Sequence, residues 1–260
     1  SREGSAPTLI FMLVYCVAGV TGHLFGGIDA DGDVGDNLGA ATPQKLIHNG
    51  PITLHRAMSY QLDLSRQDLL LTTLTGAWAR EFEPDTAPVR RGRTVFGSVS
   101  GTSGHYCNPF FALSDPNTGE HSGEIYGFNL IYSGSYAASV EADSYGSLRI
   151  MAGVQSEGFH WTLAPGESFL TPEAVLTFSI EGRNGLRHNM HRFVTSHILP
   201  SHWREKPRPI LVNNWEATYF DFTPRKLRAL AAKAAGLGAE LFVLDDGWFG
   251  RRTDDTRGLG

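Results

Sequence analysis

The stretch PILVNNWEA, residues 209–217, and the stretch ELFVLDDGWFG, residues 240–250, enclose a helical pattern. Each contains a short, continuously apolar run, which is typical of a strand buried on both faces of a parallel sheet. Between them Thr223 can cap a helix, Pro224 suits its first turn, and apolar side chains recur at helical spacing to about Leu237. The sequence therefore predicts a strand–helix–strand unit whose two strands are parallel neighbours.

Polar and aromatic side chains follow both predicted strands at their carboxyl ends. Trp215 follows the first strand, and Asp245, Asp246 and Trp248 follow the second. Ligands of α/β sheets and barrels bind outside the carboxyl ends of the strands, so we expect one pocket to receive these side chains. Carboxylates accept hydrogen bonds from sugar hydroxyls and an indole covers the apolar face of a sugar ring, which favours a polyhydroxylated ligand. Taken singly, each residue also fits a turn cap or a core tryptophan.

The two stretches resemble the α-galactosidases of glycoside hydrolase family 36. The resemblance is carried by NNWEATYFDF at 213–222 and LFVLDDGWFG at 241–250, and it covers about residues 52–260. Further motifs extend it toward the amino terminus: LTGAWARE at 74–81, SGHYCNPFF at 103–111, EIYGFNLIYSG at 124–134 and LAPGESFLTPE at 163–173. It implies a multidomain β plus α/β protein, in which an amino-terminal antiparallel β-sandwich precedes the first βαβ unit of a (β/α)8 TIM barrel.

The pattern between residues 50 and 180 indicates a β domain by itself. Short apolar and aromatic runs are separated by Gly, Pro, Asp and Asn, as in antiparallel sandwiches. The runs are TVF at 94–96, IYGFNLIY at 125–132, YAASV at 136–140, LRIM at 148–151, FHWTL at 159–163 and AVLTFSI at 174–180. We therefore expect a sandwich over residues 1–183, a helical linker over 184–208 whose helix ends at Pro200, and the start of a truncated barrel over 209–260.

The resemblance implies a hydrolase that releases terminal α-galactosyl residues from oligosaccharides such as raffinose and melibiose. Family members retain the anomeric configuration because they react by a double displacement. This mechanism requires two carboxyl groups about 5 Å apart. In this family both are aspartates on later barrel strands, so we expect them beyond Gly260 and expect no catalytic residue within this chain. By this interpretation the chain alone is inactive.

The resemblance also assigns substrate-binding residues. Asp245 and Asp246 would bind galactose hydroxyls, and Trp215 would pack near the sugar. Trp78, in the GAWAR motif, would reach a substrate pocket, and a buried tryptophan of the sandwich is the competing interpretation. The two aspartates are not expected to be the catalytic pair, because adjacent side chains diverge too much to flank one scissile bond.

Two other functions stay open. A raffinose-synthase-like galactosyltransferase shares the barrel, and a catalytically silent galactose-binding or assembly fragment is compatible with a chain that lacks the reacting aspartates. A dinucleotide-binding unit is excluded, because the turn NNWEA at 213–217 lacks the glycines that such a unit requires.

Composition and spacing restrict the partners. A net charge of -5 with scattered Lys and Arg argues against nucleic acid. Two cysteines, Cys16 and Cys107, are too few for a disulfide framework and are expected as free thiols. The histidines at 188, 191 and 197 lack metal-ligand spacing, so neither a metal nor a cofactor is expected. The resemblance implies an α-galactoside oligosaccharide as the partner and is compatible with a homotetramer. Both a secreted and a cytoplasmic location stay open.

The first fifty residues carry two patterns that allow alternatives. The apolar run LIFMLVYCVAGV at 9–20 is shorter than the ~20 residues that span a bilayer, and we favour a strand over a signal-peptide core. The segment 25–37 is rich in Gly and Asp, but Val34 and Ala40 stand where a calcium loop that starts at Asp29 requires Gly and Glu, which favours a solvated turn. Residues 21–45 show no family counterpart, and an insertion, a divergent loop and a gene-model error remain alternatives.

Overall fold

The computed structural model describes Met12–Leu13 and residues 51–258. The chain forms two compact units that divide between Arg192 and Phe193. Met12–Leu13 is strand β1, which agrees with the predicted strand at those two positions. The rest of that run, Cys16, and the Gly- and Asp-rich segment 25–37 lie outside the described residues.

The first unit consists mainly of antiparallel strands. After β1 these are β2 (Ile52–Leu54), β3 (Met58–Leu64), β4 (Leu70–Ala77), β5 (Arg80–Pro88), β6 (Gly92–Gly97), β7 (Cys107–Ser114), β8 (Ile125–Ile131), β9 (Tyr136–Ala142), β10 (Leu148–Val154), β11 (Trp161–Leu163) and β12 (Glu173–Ser179). One sheet has the order β1-β12-β8-β7-β4-β5, a second has the order β3-β10-β9-β6, and β11 pairs with β2. Every pairing in these sheets is antiparallel, as predicted.

The two larger sheets share one hydrophobic core. Alternate side chains of each sheet enter it, because successive residues of a strand face opposite sides. The rings of Phe111 and Phe128, from the six-stranded sheet, stack with centroids 4.8 Å apart. Val140 and Ile150, from the four-stranded sheet, are completely buried in the same cluster. Burial of these side chains is the main stabilising contribution to the first unit.

The sequence pattern missed several strands, of which β5 is the clearest. Each of its residues is exposed, and the strand lies at the edge of the six-stranded sheet. Its pairing with β4 includes a hydrogen bond of 2.8 Å between the hydroxyls of Thr72 and Thr86. A strand that buries no side chain shows no apolar alternation, so periodicity could not detect it.

A helix follows the last strand of the first unit. Helix α1 (Gly182–Phe193) packs Leu186 against Ile125 and Ala112. The predicted helix to Leu199 continues as a π-helical turn, Val194–Ile198. Helix α2 (Ser201–Arg204) then begins directly after Pro200, within the predicted linker but beyond the proline at which we expected its helix to end. Proline ends one helix because it lacks an N–H group, but its fixed φ angle suits the start of another.

The second unit contains the predicted strand–helix–strand arrangement. Strand β13 (Leu211–Asn213) pairs in parallel with β14 (Leu241–Val243). Between them lie α3 (Trp215–Thr218) and α4 (Pro224–Gly236). The Thr223 hydroxyl accepts a hydrogen bond of 3.3 Å from the Lys226 N–H, so the predicted helix cap is confirmed.

The predicted burial of these two strands on both faces is wrong for the part of the chain that the structure describes. Leu211 is 50% exposed and Leu241 is 42% exposed. Within residues 51–258, β13 and β14 pair with each other and with no third strand, so neighbouring strands do not cover them. None of the described helices is long and apolar enough to span a membrane.

Candidate functional site

A buried amide connects the two chain segments that leave the parallel strands. Asn214 follows β13 and is completely buried. Its Oδ1 accepts a hydrogen bond of 2.8 Å from the Asp245 N–H, just after β14, and its Nδ2 donates to the Thr218 hydroxyl at 2.9 Å. The carboxyl ends of the two strands therefore meet at one edge, as the sequence predicted.

Asp245 is held by the segment that follows β13. Its Oδ2 accepts a hydrogen bond of 2.5 Å from the Asn213 side-chain amide, and its Oδ1 accepts one of 2.7 Å from the Asp246 N–H. The Asn213 Oδ1 in turn accepts from the Trp215 N–H at 2.7 Å. These contacts fix the Asp245 carboxylate and the first turn of α3 with respect to each other.

Asp246 is bound by an arginine. Arg252 Nε donates to both carboxylate oxygens at 2.9 Å, and its Nη2 donates to Oδ2 at 2.6 Å. The Gly247 N–H adds a bond of 2.7 Å to Oδ1. The hydrogen bond from Arg252 is the main reason that the pKa of Asp246 lies below its usual value, so the carboxylate stays ionised. Asp246 is suited to accept hydrogen bonds and unsuited to donate a proton.

The sequence analysis did not identify Arg252. Its side chain is 5% exposed, and Nη1 donates to the carbonyl oxygens of Asp254 and Arg257 at 2.7 Å each. The guanidinium carbon lies 5.3 Å from the centroid of the Phe220 ring. Residues 246–251 form turns and bends, so no helical or strand periodicity relates the arginine to the aspartate.

An open cleft of about 540 Å³ lies beside these groups. Asp245, Asp246, Trp248 and Arg252 contribute to its lining, and Trp248 is 64% exposed. Trp215 lies outside this lining, with its ring 4.9 Å from that of Phe220. The structure thus brings the two predicted aspartates together with Trp248, and Trp215 is connected to them through Phe220 and the arginine.

Trp78 belongs to the first unit. It lies in the turn between β4 and β5, and 86% of its side chain is exposed. The interpretation of Trp78 as a buried core residue is therefore wrong. Its role in a substrate pocket stays a prediction.

Two other side chains that the sequence analysis considered, Cys107 and His197, contact aromatic residues. Cys107 is a free thiol with Sγ 2.9 Å from the hydroxyl oxygen of Tyr136. The His197 ring stacks on Phe193 with centroids 4.9 Å apart, which fits packing within the linker. In the described ranges, no group of three or more His, Cys, Asp or Glu side chains is placed to hold a metal ion.

Two family models match the chain. The glycosyl hydrolase family 36 N-terminal domain matches residues 44–164, and the melibiase model matches residues 168–260. The α-galactosidase AgaA of Geobacillus stearothermophilus is 45% identical over 80% of this chain, and Mel36A of Lactobacillus acidophilus is 44% identical over 80%. In each case the match spans 29% of the relative, so the chain spans about three tenths of the length of these proteins.

One relative also covers the first residues of the chain. The bifunctional α-galactosidase/sucrose kinase AgaSK of Mediterraneibacter gnavus is 36% identical over 99% of this chain and 27% of its own length. That alignment takes in nearly all of the first fifty residues, so our statement that residues 21–45 have no family counterpart is wrong.

Solved structures of α-galactosidases are also similar to this chain. The crystal structure of AgaA from G. stearothermophilus superposes with a TM-score of 0.77 at 45% identity, covering 81% of this chain and 29% of that one. The galactosidase domain of AgaSK gives 0.78 at 37% identity over 82% and 30%. Variants of AgaA have been crystallised with stachyose and with raffinose. The two family models and these α-galactosidases show that the chain belongs to glycoside hydrolase family 36 and corresponds to the amino-terminal part of its α-galactosidases.

Proposed function

We propose that the chain is part of an α-galactosidase, a retaining glycoside hydrolase that releases terminal α-galactosyl groups from oligosaccharides of the raffinose and melibiose type. The observation that carries the proposal is the cleft at the carboxyl end of β14, the strand that pairs in parallel with β13; Asp245, Asp246 and Trp248 line this cleft together. Its edge position is the one where α/β barrels bind their substrates. Family membership and the stachyose and raffinose complexes of AgaA support the choice of sugar.

Each predicted residue has a role in this proposal. The carboxylates of Asp245 and Asp246 accept hydrogen bonds from galactose hydroxyls, and an ionised acceptor makes such bonds stronger than a neutral one would. Trp215 packs near the sugar, and Trp78 contributes from the sandwich to a substrate pocket. The exposed indole of Trp248, in the lining of the cleft, offers a further apolar surface for a sugar ring.

The groups that react are assigned to a different part of the protein. A retaining enzyme begins with one protonated and one ionised carboxyl group on opposite sides of the scissile bond. Asp246 is held ionised by Arg252, and Asp245 is engaged by Asn213 and by the Asp246 N–H. We therefore propose that the two reacting aspartates lie on later strands of a complete TIM barrel, to which β13, α4 and β14 contribute the first βαβ unit.

The same contacts support a second candidate for the chain on its own. A cleft whose carboxylates are both engaged as hydrogen-bond acceptors can bind galactose without cleaving a glycoside. The 260-residue chain would then be a catalytically silent galactose-binding protein.

An activity assay separates these functions. We would compare the 260-residue chain with a longer form that continues through the rest of the relatives' length, using p-nitrophenyl α-galactoside as substrate. We expect hydrolysis by the longer form alone, with α-galactose as the first product in the proton NMR spectrum. A longer form that is inactive on α-galactosides, or that releases β-galactose first, contradicts the proposed function.

Asp246→Asn in the longer form tests the cleft itself. The amide keeps the shape of the side chain but removes its charge, so galactose inhibition should weaken about tenfold, as expected when a charge-assisted hydrogen bond is lost. Asp221→Asn is the control, because Asp221 is 89% exposed and pairs with Lys226. Unchanged galactose inhibition in Asp246→Asn removes this residue from the site.

A further inference from the structure

Arg252 has no role in the proposed chemistry, yet it makes more polar contacts than either aspartate of the cleft. We propose that Arg252 is a positioning residue, which fixes the Asp246 carboxylate and the Phe220 ring in one arrangement and thereby sets the affinity of the cleft for a galactosyl group. The effect of Arg252 on affinity for a galactosyl group rests on the proposed function. The positioning of Asp246 and Phe220 by Arg252 is independent of that function.

The first support is the geometry of the carboxylate. The planar guanidinium donates through Nε and Nη2, an arrangement that matches a carboxylate and defines its orientation. Gly247 N–H and Arg252 together use both oxygens of Asp246, at distances from 2.6 to 2.9 Å. Since an ionised carboxylate has about four acceptor positions, few remain for a ligand, and their direction is set by the arginine.

The second support is that Arg252 is itself held in place. Its side chain is 5% exposed, and Nη1 donates to the carbonyl oxygens of Asp254 and Arg257, both at 2.7 Å. A buried charge that loses its partners is strongly unfavourable, so the guanidinium cannot turn away without a large cost. The segment from 252 to 257 thus closes around the group that orients Asp246.

The third support is the ring beneath the arginine. Phe220 lies under the guanidinium carbon at 5.3 Å, and its ring meets that of Trp215 edge to face at 4.9 Å. An added Cβ at Gly247 would come 2.8 Å from the Phe220 Cδ1 atom, so the ring and the Asp246–Gly247 backbone are in close contact. One arginine therefore connects the carboxylate after β14 with the aromatic residues after β13.

The competing explanation is that Arg252 only closes its own loop through the two carbonyl bonds. Two substitutions distinguish these roles. Lysine keeps the positive charge but lacks the two-pronged geometry, and methionine keeps an unbranched apolar stem but removes the charge and all the N–H donors. Arg251→Met is the matched control, because Arg251 is the exposed neighbour in the sequence.

The experiment uses the 260-residue chain with D-galactose as the probe and carboxyl ¹³C NMR of Asp246, assigned with Asp246→Asn. In Arg252→Lys we expect the pKa of Asp246 to stay below its usual value and the galactose Kd to rise at least about fivefold. In Arg252→Met we expect the galactose Kd to rise as well, and we expect the pKa of Asp246 to move toward the usual aspartate value near 3.9. Arg251→Met should alter neither.

The outcomes separate the inference from the proposed function. If the unsubstituted chain does not bind galactose, the proposed binding role of the cleft fails, and the Asp246 titration still decides whether Arg252 positions the carboxylate. If both Arg252 variants fold and bind galactose within about twofold of the original Kd, the proposed control of affinity is overturned. If the Asp246 titration is the same in Arg252→Met as in the unsubstituted chain, or if neither variant folds, Arg252 is a structural residue and the inference is overturned.

Discussion

Asn214 uses both ends of its amide in the interior of the second unit. One end accepts from the Asp245 N–H at 2.8 Å, and the other donates to the Thr218 hydroxyl at 2.9 Å. Because Asn214 is completely buried, bulk water does not compete for these bonds in the folded state. The position of Asp245 therefore depends on a neutral residue that would not itself touch a sugar.

Asn214→Ala should destabilise the second unit by about 1–3 kcal/mol, because it leaves the Asp245 N–H without its partner. Amide hydrogen exchange at Asp245, followed by NMR, should become faster. Lys233→Ala, an exposed change on α4, is the control and should leave that rate unaltered. An Asp245 amide that exchanges at the original rate in Asn214→Ala would contradict the role of the buried amide.

A pair of glycines tests the contact between Phe220 and the backbone of the site. Gly247 has φ +85°, and a Cβ there would approach Phe220 Cδ1 to 2.8 Å, whereas Gly250 has φ +53° with no atom within 4 Å of its added Cβ. Both alanine variants carry the cost of a left-handed backbone, about 1–2 kcal/mol. In urea unfolding, Gly247→Ala should therefore lower the free energy of unfolding by more than Gly250→Ala does. Equal losses would show that the ring moves freely away.

Among the individual residues, the sequence could predict that Asp245 and Asp246 lie just after β14 and that Thr223 caps α4, since each follows from a short local pattern. It could not predict Arg252 or the function of Asn214. The contacts of both residues depend on where the turns place them, and neither residue type at its spacing has a characteristic pattern. The strand pattern placed Trp215 in one pocket with the aspartates, whereas α3 begins at that residue and its ring packs against Phe220, outside the lining of the cleft. Its role near the sugar stays a prediction.

Among the elements, the hairpin of β9 and β10 depends on one carboxylate in its turn. Asp143 Oδ1 accepts hydrogen bonds from the N–H groups of Tyr145 and Ser147, at 2.8 and 2.9 Å. The bond from Ser147 is the main cause that lowers the pKa of Asp143. The folded state thus favours the ionised form, and this stabilisation is complete above the usual pKa near 3.9 and is lost as the pH falls through the lowered value.

Asp143→Asn should therefore reduce the acid sensitivity of the first unit. Between pH 6 and pH 3 we expect the urea midpoint of the original chain to fall further than that of the variant, because asparagine has no charge to lose. Tyr145→Ala, at a side chain that is 93% exposed in the same turn, should keep the original pH dependence. Parallel midpoint curves for the original chain and Asp143→Asn would rule out this contribution.

The elements that the sequence predicted are those with a buried face. Strands β8, β9, β10 and β12 carry apolar side chains into the core, and each lies where its apolar run predicted it. The edge strand β5 was missed because all of its residues are exposed. The parallel pair β13 and β14 was predicted from apolar residues, but no further described strand lies beside the pair to cover these residues. The predicted parallel direction is therefore confirmed, and the predicted burial is wrong.

On the scale of the whole molecule, the two units differ in how completely their sheets are covered. The first unit has two sheets of six and four strands around a common core. In the second, a two-stranded parallel sheet leaves Ile210 63% exposed and Leu211 50% exposed. Two strands rarely form a stable sheet in water, since at least three, or packing against a helix, are needed.

We therefore expect the second unit of the 260-residue chain to open more readily than the first. Amide hydrogen exchange followed by mass spectrometry should show peptides that contain β13 and β14 exchanging well before those that contain β9 and β10. A longer form that supplies the neighbouring strands of the proposed barrel should slow the exchange of β13 and β14, while the peptides of the first unit serve as the internal control. Equal protection of the two units in the 260-residue chain would mean that α4 alone stabilises the parallel pair, and a complete barrel would not be needed to order this edge of the cleft.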